Sequence, residues 1–164
     1  MNAGLQLTTI KCKRYYIQDY MALPIKIELG LLFGECNGFM NLAVYNQHEL
    51  LVELNNVKDS KQTLVLDVIF PAKLVFVIAN KDMLTDTKVS DTGEIIADKF
   101  VQLTKLHVGY CPVATSKLRD ICLFEPENNG VIYDNYWYTN GKATIEFKDK
   151  SFTKWHLNLM QNKK

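Results

Sequence analysis

The chain has almost no net charge and no long apolar run, and these two lacks remove whole classes of function. Its 164 residues carry 19 Lys and Arg against 18 Asp and Glu, a formal charge of +1. A polyanion partner needs a basic stripe, so nucleic-acid binding is not expected. No apolar stretch approaches the roughly 20 residues that cross a bilayer, and no membrane partner is expected. The opening Met1-Asn2-Ala3-Gly4 lacks the basic-then-apolar layout of a secretory signal. That predicts a protein that acts inside the producing cell, or leaves it by lysis or within a particle.

The patterns that announce chemistry are equally scarce. Cys12, Cys36, Cys111 and Cys122 contain no Cys-x-x-Cys pair, and none has a histidine at a zinc-ligand interval. Their apolar or β-patterned neighbours make them reduced packing residues, with a Cys111–Cys122 bridge open only in an oxidising setting. His48, His107 and His156 are far apart in sequence and read as packed or surface side chains. The local signatures of a serine nucleophile, a P-loop and a dinucleotide-binding turn are all missing. Glycosidase chemistry requires two facing carboxylates, and Glu125 with Asp134 is a pair any β-rich chain would offer. No enzyme is expected.

What the chain does have is period-two patterning over most of its length, with 48% hydrophobic residues. Thr63 to Phe70 is a β-rich run ended by Pro71. Leu74 to Ile78 is nearly all apolar, short enough for a strand buried on both faces. Phe100 to Val108 alternates, with a phase switch near Lys105 that fits a bulge. Ile25 to Leu29, Ala143 to Phe147 and Thr153 to Leu159 alternate too, the last placing Trp155, Leu157 and Leu159 on one face. Met40 to Tyr45 and Leu50 to Leu54 flank a polar turn, although Gln47 to Leu54 also suits one short helix. Turn signals stand at Asn37-Gly38, Asn55-Asn56, Asp91-Thr92-Gly93, Asn128-Asn129-Gly130 and Asn140-Gly141. Short strands at such intervals predict an all-β fold, a jelly-roll β-sandwich in one domain over residues 1–164. Residues 60–160 carry the jelly-roll-like part. Residues 1–60, including the β-patterned stretch 5–17, supply extra strands or a contact arm.

Two segments carry the functional interest. The first runs from Asn80 through Asp82, Asp86, Asp91 and Asp98, rich in carboxylate, amide and hydroxyl oxygens. Oxygen donors suit a hard cation such as Ca²⁺, although the spacing is not that of an EF-hand. Asp82, Asp86, Asp91 and Asp98, with Asp134 from a later loop, are one donor set; aspartates capping their own turns are the other reading. The second segment is Asp134-Asn135-Tyr136-Trp137-Tyr138. Aromatic faces stack on sugars while Asp and Asn bind hydroxyls, and the same residue types also fill cores and subunit contacts.

Phe70 to Phe76, Asn80 to Thr87 and Gly93 to Lys99 together resemble a small jelly-roll module of structural and tail-associated proteins of tailed bacteriophages. That module is similar to calcium-dependent carbohydrate-binding modules of xylan-degrading enzymes. The stretches 136–144 and 152–159 resemble its closing strands. The resemblance implies Asp82, Asp86 and Asp98 as calcium positions, while Asp134 to Tyr138 are expected as ligand residues on their own chemistry. It also implies a non-enzymatic virion protein that docks onto other virion proteins or its own copies and recognises host polysaccharide. A free calcium-dependent carbohydrate-binding module is the alternative. Lys81 matches the module's basic residue, but Asn80 stands where its glycine is usual, a position where only glycine lacks the Cβ penalty.

Overall fold

The computed structural model describes residues 23–161. The stretch 5–17 and Cys12 lie outside the described residues. The elements in order are β1 (Ile25–Gly34), β2 (Asn41–Asn46), β3 (Glu49–Leu54), β4 (Lys61–Val68), β5 (Ala72–Ala79), β6 (Thr87–Val89) and β7 (Ile95–Asp98). They continue with β8 (Phe100–Val108), β9 (Cys111–Pro112), helix α1 (Thr115–Ile121), β10 (Leu123–Pro126), β11 (Ile132–Tyr133), β12 (Tyr136–Trp137), β13 (Gly141–Phe147) and helix α2 (Phe152–Gln161). One sheet runs β12-β8-β1-β4 with β9 also on β8, and the other runs β11-β10-β13-β5-β2-β3. Strands β6 and β7 form a separate pair. The result is the all-β sandwich that the alternation predicts.

The alternation builds the core directly, because a strand sends successive side chains to opposite faces. Ile27, Leu29, Leu31 and Phe33 of β1 meet Leu74, Phe76 and Ile78 of β5 and Ala143, Ile145 and Phe147 of β13 in one buried cluster. Burying each large side chain stabilises the fold by about 1.5–3 kcal/mol. The phase switch in β8 is a bulge. Pairing passes from Gly30↔Lys105 to Leu31↔Leu103, which leaves Thr104 as the extra residue. Both Leu103 and Leu106 thereby reach the core. Gly30 is required there, since a Cβ would lie 2.8 Å from the Lys105 Cβ.

Three expectations need correction. Residues 47–54 form no helix; Gln47 and His48 make the turn of the β2–β3 hairpin, with Gln47 at φ 56°. Strand β5 is not buried on both faces: Leu74, Phe76 and Ile78 are buried, whereas Val75 and Val77 are half-buried. The closing run is helix α2 rather than a strand. Its inward side is Phe152, Trp155 and Leu159, at helical spacing, while Leu157 stays exposed. Helix α1, anchored by buried Leu118, was not expected at all.

The sandwich has two distinct ends. Phe147 pairs with Ala72, and the Phe70 ring stacks on Phe147 at 4.8 Å. Helix α2 closes this end, its Trp155 ring 4.9 Å from that of Phe147. At the opposite end, Ala79 pairs with Asn41 and Ile78 with Gly141, and the segment from Asn80 to Lys99 leaves and re-enters the sheets.

Candidate functional site

The acidic segment begins where β5 stops. Asn80 takes the left-handed conformation, φ 71°, which asparagine tolerates better than most side chains and glycine tolerates freely. The residue after it is clamped from just before the neighbouring strand β13 in the same sheet. Lys81 N–H donates to the Asn140 side-chain oxygen at 2.9 Å, and Asn140 Nδ2 returns a bond to Lys81 O at 3.1 Å.

Two lysines then answer two of the three expected metal positions. Lys81 Nζ lies 2.6 Å from Asp98 Oδ1 and Lys99 Nζ lies 3.0 Å from Asp86 Oδ2, with all four side chains at most 12% exposed. Thr87 Oγ1 also donates to Asp98 Oδ1, at 2.6 Å. Asp86 accepts the Asp82 N–H at 2.9 Å and Asn37 Nδ2 at 3.3 Å. The Asp82 N–H holds the Asp86 carboxyl below the usual carboxylate range; burial opposes this, and Lys99 and Asn37 reinforce it. Asp82 itself is exposed, and its Oδ1 accepts the Leu84 N–H at 2.9 Å as a turn cap. Asp91 is exposed in the turn between β6 and β7.

The aromatic segment divides into core and surface. Trp137 was expected to meet a ligand, but it is wholly buried, its ring 5.1 Å from that of Phe76. Its Nε1 donates to Asp134 O at 3.0 Å, so it offers no face for stacking. The Asp134 carboxylate accepts the Tyr136 N–H at 3.1 Å, and Asn135 Nδ2 donates to Leu103 O at 2.8 Å. Asn135 thereby pins β12 against β8, while Asp134 caps the turn that leads into β12. Tyr136 and Tyr138 are half-buried. The Tyr136 ring lies 4.6 Å from Phe100 and 6.2 Å from Tyr138, making a short ladder of rings.

The two segments meet at Tyr136 and Asp98. Burial pushes the Tyr136 hydroxyl up to about 12, with Asp98 and Asp134 adding to the rise. The hydroxyl is a neutral donor beside an ion-paired carboxylate. Such an edge, flat rings next to fixed polar groups, suits a polyhydroxylated ligand.

A second surface lies at the helical end. A cleft of about 890 Å³ opens between α1, α2 and the end of β13, lined by Asp120, Tyr133, Glu146, Asp149, Asn158 and Gln161 among others. The Tyr133 side chain is exposed, whereas Asn158 Nδ2 is bonded to Asp149 at 3.1 Å. Of the lining, Trp155 and Leu159 stand out in sequence as apolar positions of the closing run, and Tyr133 as an aromatic beside Asp134 to Tyr138. The rest of the cleft depends on two helices that the strand pattern did not suggest.

No family model matches the chain, and no curated protein matches it in sequence. Solved structures do share its fold. One, described as vCBM60 in complex with galactobiose, is 10% identical with a TM-score of 0.50, over 74% of this chain and 97% of that one. Another is a selenomethionine form of vCBM60, from work on circular permutation linking two families of calcium-dependent carbohydrate-binding modules. It is 9% identical with a TM-score of 0.51, over 74% of this chain and 90% of that one. At such identity the likeness establishes the fold alone, a β-sandwich shared with those structures.

Calcium needs about 6–8 oxygen ligands, several of them free carboxylate oxygens. Among the described residues, no three His, Cys, Asp or Glu side chains converge where a metal ion would sit. Asp86 and Asp98 are already neutralised by ammonium groups, and Asp82 caps a turn. This donor set does not fit the ion.

Proposed function

We propose that the chain is a non-catalytic recognition module that binds polysaccharide through the loop end of its sandwich, and that it works as part of a tailed-phage particle. The observation that carries the carbohydrate reading is the half-buried Phe100–Tyr136–Tyr138 ladder beside Asp98, on a fold shared with structures described as carbohydrate-binding modules. Rings held in a fixed row present apolar faces to a sugar at little entropic cost, and adjacent polar groups select its orientation. Asp134 and Asn135 act by holding the ladder, and Trp137 by supporting it from the core.

The virion setting rests on the resemblance of residues 70–76, 80–87 and 93–99 to phage structural and tail-associated proteins. In that setting the chain docks onto other virion proteins or onto its own copies. Mass spectrometry of purified particles tests it, and absence of the protein from them removes this half of the proposal.

A glycan array on the purified protein, in Ca²⁺ and in EDTA, tests the carbohydrate half. Binding weakened about tenfold by Tyr136→Ala with the melting temperature preserved supports the loop end. Binding abolished by Tyr133→Ala instead moves the site to the helical cleft, whose volume also falls in the range of ligand sites. A blank array in both buffers leaves an architectural protein.

A further inference from the structure

We infer that two lysines built into this chain replace the calcium ion of calcium-dependent sandwiches, so that the loop end is ordered without metal. Four residues form two crossed pairs. Lys81, just after β5, reaches Asp98 at the end of β7, and Asp86, just before β6, receives Lys99, just before β8. Each pair ties the start of the 81–99 segment to its end. Main-chain bonds follow the same path: Lys99 N–H donates to Asp86 O at 3.1 Å, and Asp86 N–H to Asp82 O at 2.9 Å. A calcium ion in such a segment would supply two things, positive charge between converging carboxylates and a point of cross-linking. Here both come from covalently attached ammonium groups.

The arrangement also excludes the ion. Lys81 and Lys99 are 7% and 4% exposed, so neither ammonium can withdraw into solvent without unpacking. A divalent cation at Asp86 or Asp98 would sit within hydrogen-bond distance of a buried like charge. Asn37 and Thr87 take further acceptor sites on the two carboxylates. Where the loop end recognises polysaccharide, a clause that rests on the proposal above, it does so with rings and hydrogen bonds rather than through a bridging metal.

Thermal unfolding of the whole chain in millimolar Ca²⁺ and in EDTA is the test, joined to Lys81→Met and Lys99→Met. The expected result is one melting temperature in both buffers, and a fall on the order of 10 °C for each variant, since removing one partner strands a buried carboxylate. A rise of several degrees with Ca²⁺, or a variant as stable as the parent, overturns the inference. Should the variants fail to fold, hydrogen exchange of residues 81–99 in the parent decides it. Equal protection in the two buffers supports the inference, and added protection in Ca²⁺ refutes it. A glycan signal that disappears in EDTA also refutes it, whereas a blank array counts only against the carbohydrate reading.

Discussion

The two ends of the sandwich are closed by different chemistry. At the loop end, buried Lys–Asp pairs and side-chain amides hold the chain, and the large apolar residues Met83 and Leu84 are exposed. At the helical end, Phe70, Phe147, Phe152 and Trp155 form a run of stacked and tilted rings, and charged groups stand at the rim. Aromatic packing tolerates small shifts and is indifferent to pH. Buried ion pairs demand geometry and respond to protons. The contrast teaches that the helical end supplies stability and the loop end supplies a fixed shape.

The largest effect should come from the aromatic end. Trp155→Ala should cost about 3–5 kcal/mol in urea unfolding, as for other buried tryptophans, and release α2. A loss below ~1 kcal/mol would make α2 an ornament and break the comparison. Next in size is the loop end, where Lys99→Met should cost about 3 kcal/mol or more. The exposed pair Lys26–Asp67, at 3.6 Å, is the control, and Lys26→Met should cost under ~1 kcal/mol.

Acid should separate the ends without mutation. Asp86 titrates below its ordinary 3.8 in the folded protein, so its contribution is complete above that pH. It is lost as pH falls through 3.8 toward the depressed folded value. Hydrogen exchange from pH 7 to pH 3 should show 81–99 losing protection before α2; simultaneous loss would argue for one cooperative unit. Tyr136→Ala should weaken glycan binding about tenfold, equivalent to ~1.4 kcal/mol, with little change in melting temperature. Smallest is Asn80→Gly, which should alter stability by less than ~1 kcal/mol, whereas Asn80→Val should lose about 1–2 kcal/mol at that left-handed backbone.

Sequence showed the sheets better than the ends. Alternation over Ile25 to Leu29 of β1 and along β13, with the phase switch in β8, predicted strands and bulge, because burial on one face imposes period two. The closing run misled because Trp155, Leu157 and Leu159 alternate while Phe152, Trp155 and Leu159 also fit a helix, and a short window allows both. In the fold, the helix sets the Trp155 ring on Phe147 across the turn that leaves β13, a packing arrangement that alternation alone does not specify. Similarly, Asp82, Asp86 and Asp98 were visible as carboxylates, but their partners were not. Lys99 is 13 residues from Asp86 and Lys81 is 17 from Asp98, separations that carry no local signature. Trp137 looked like the half-buried tyrosines on either side of it, and the pairing of β12 with β8 turns it inward.

Strand β1 starts at Ile25 opposite Val68, on the side where Phe70 meets Phe147, and α2 finishes the described chain on that same side. The two ends of the described chain therefore share one pole, and Asn80 to Lys99 with Tyr136 occupy the other, so whatever meets the loop end meets neither Ile25 nor α2.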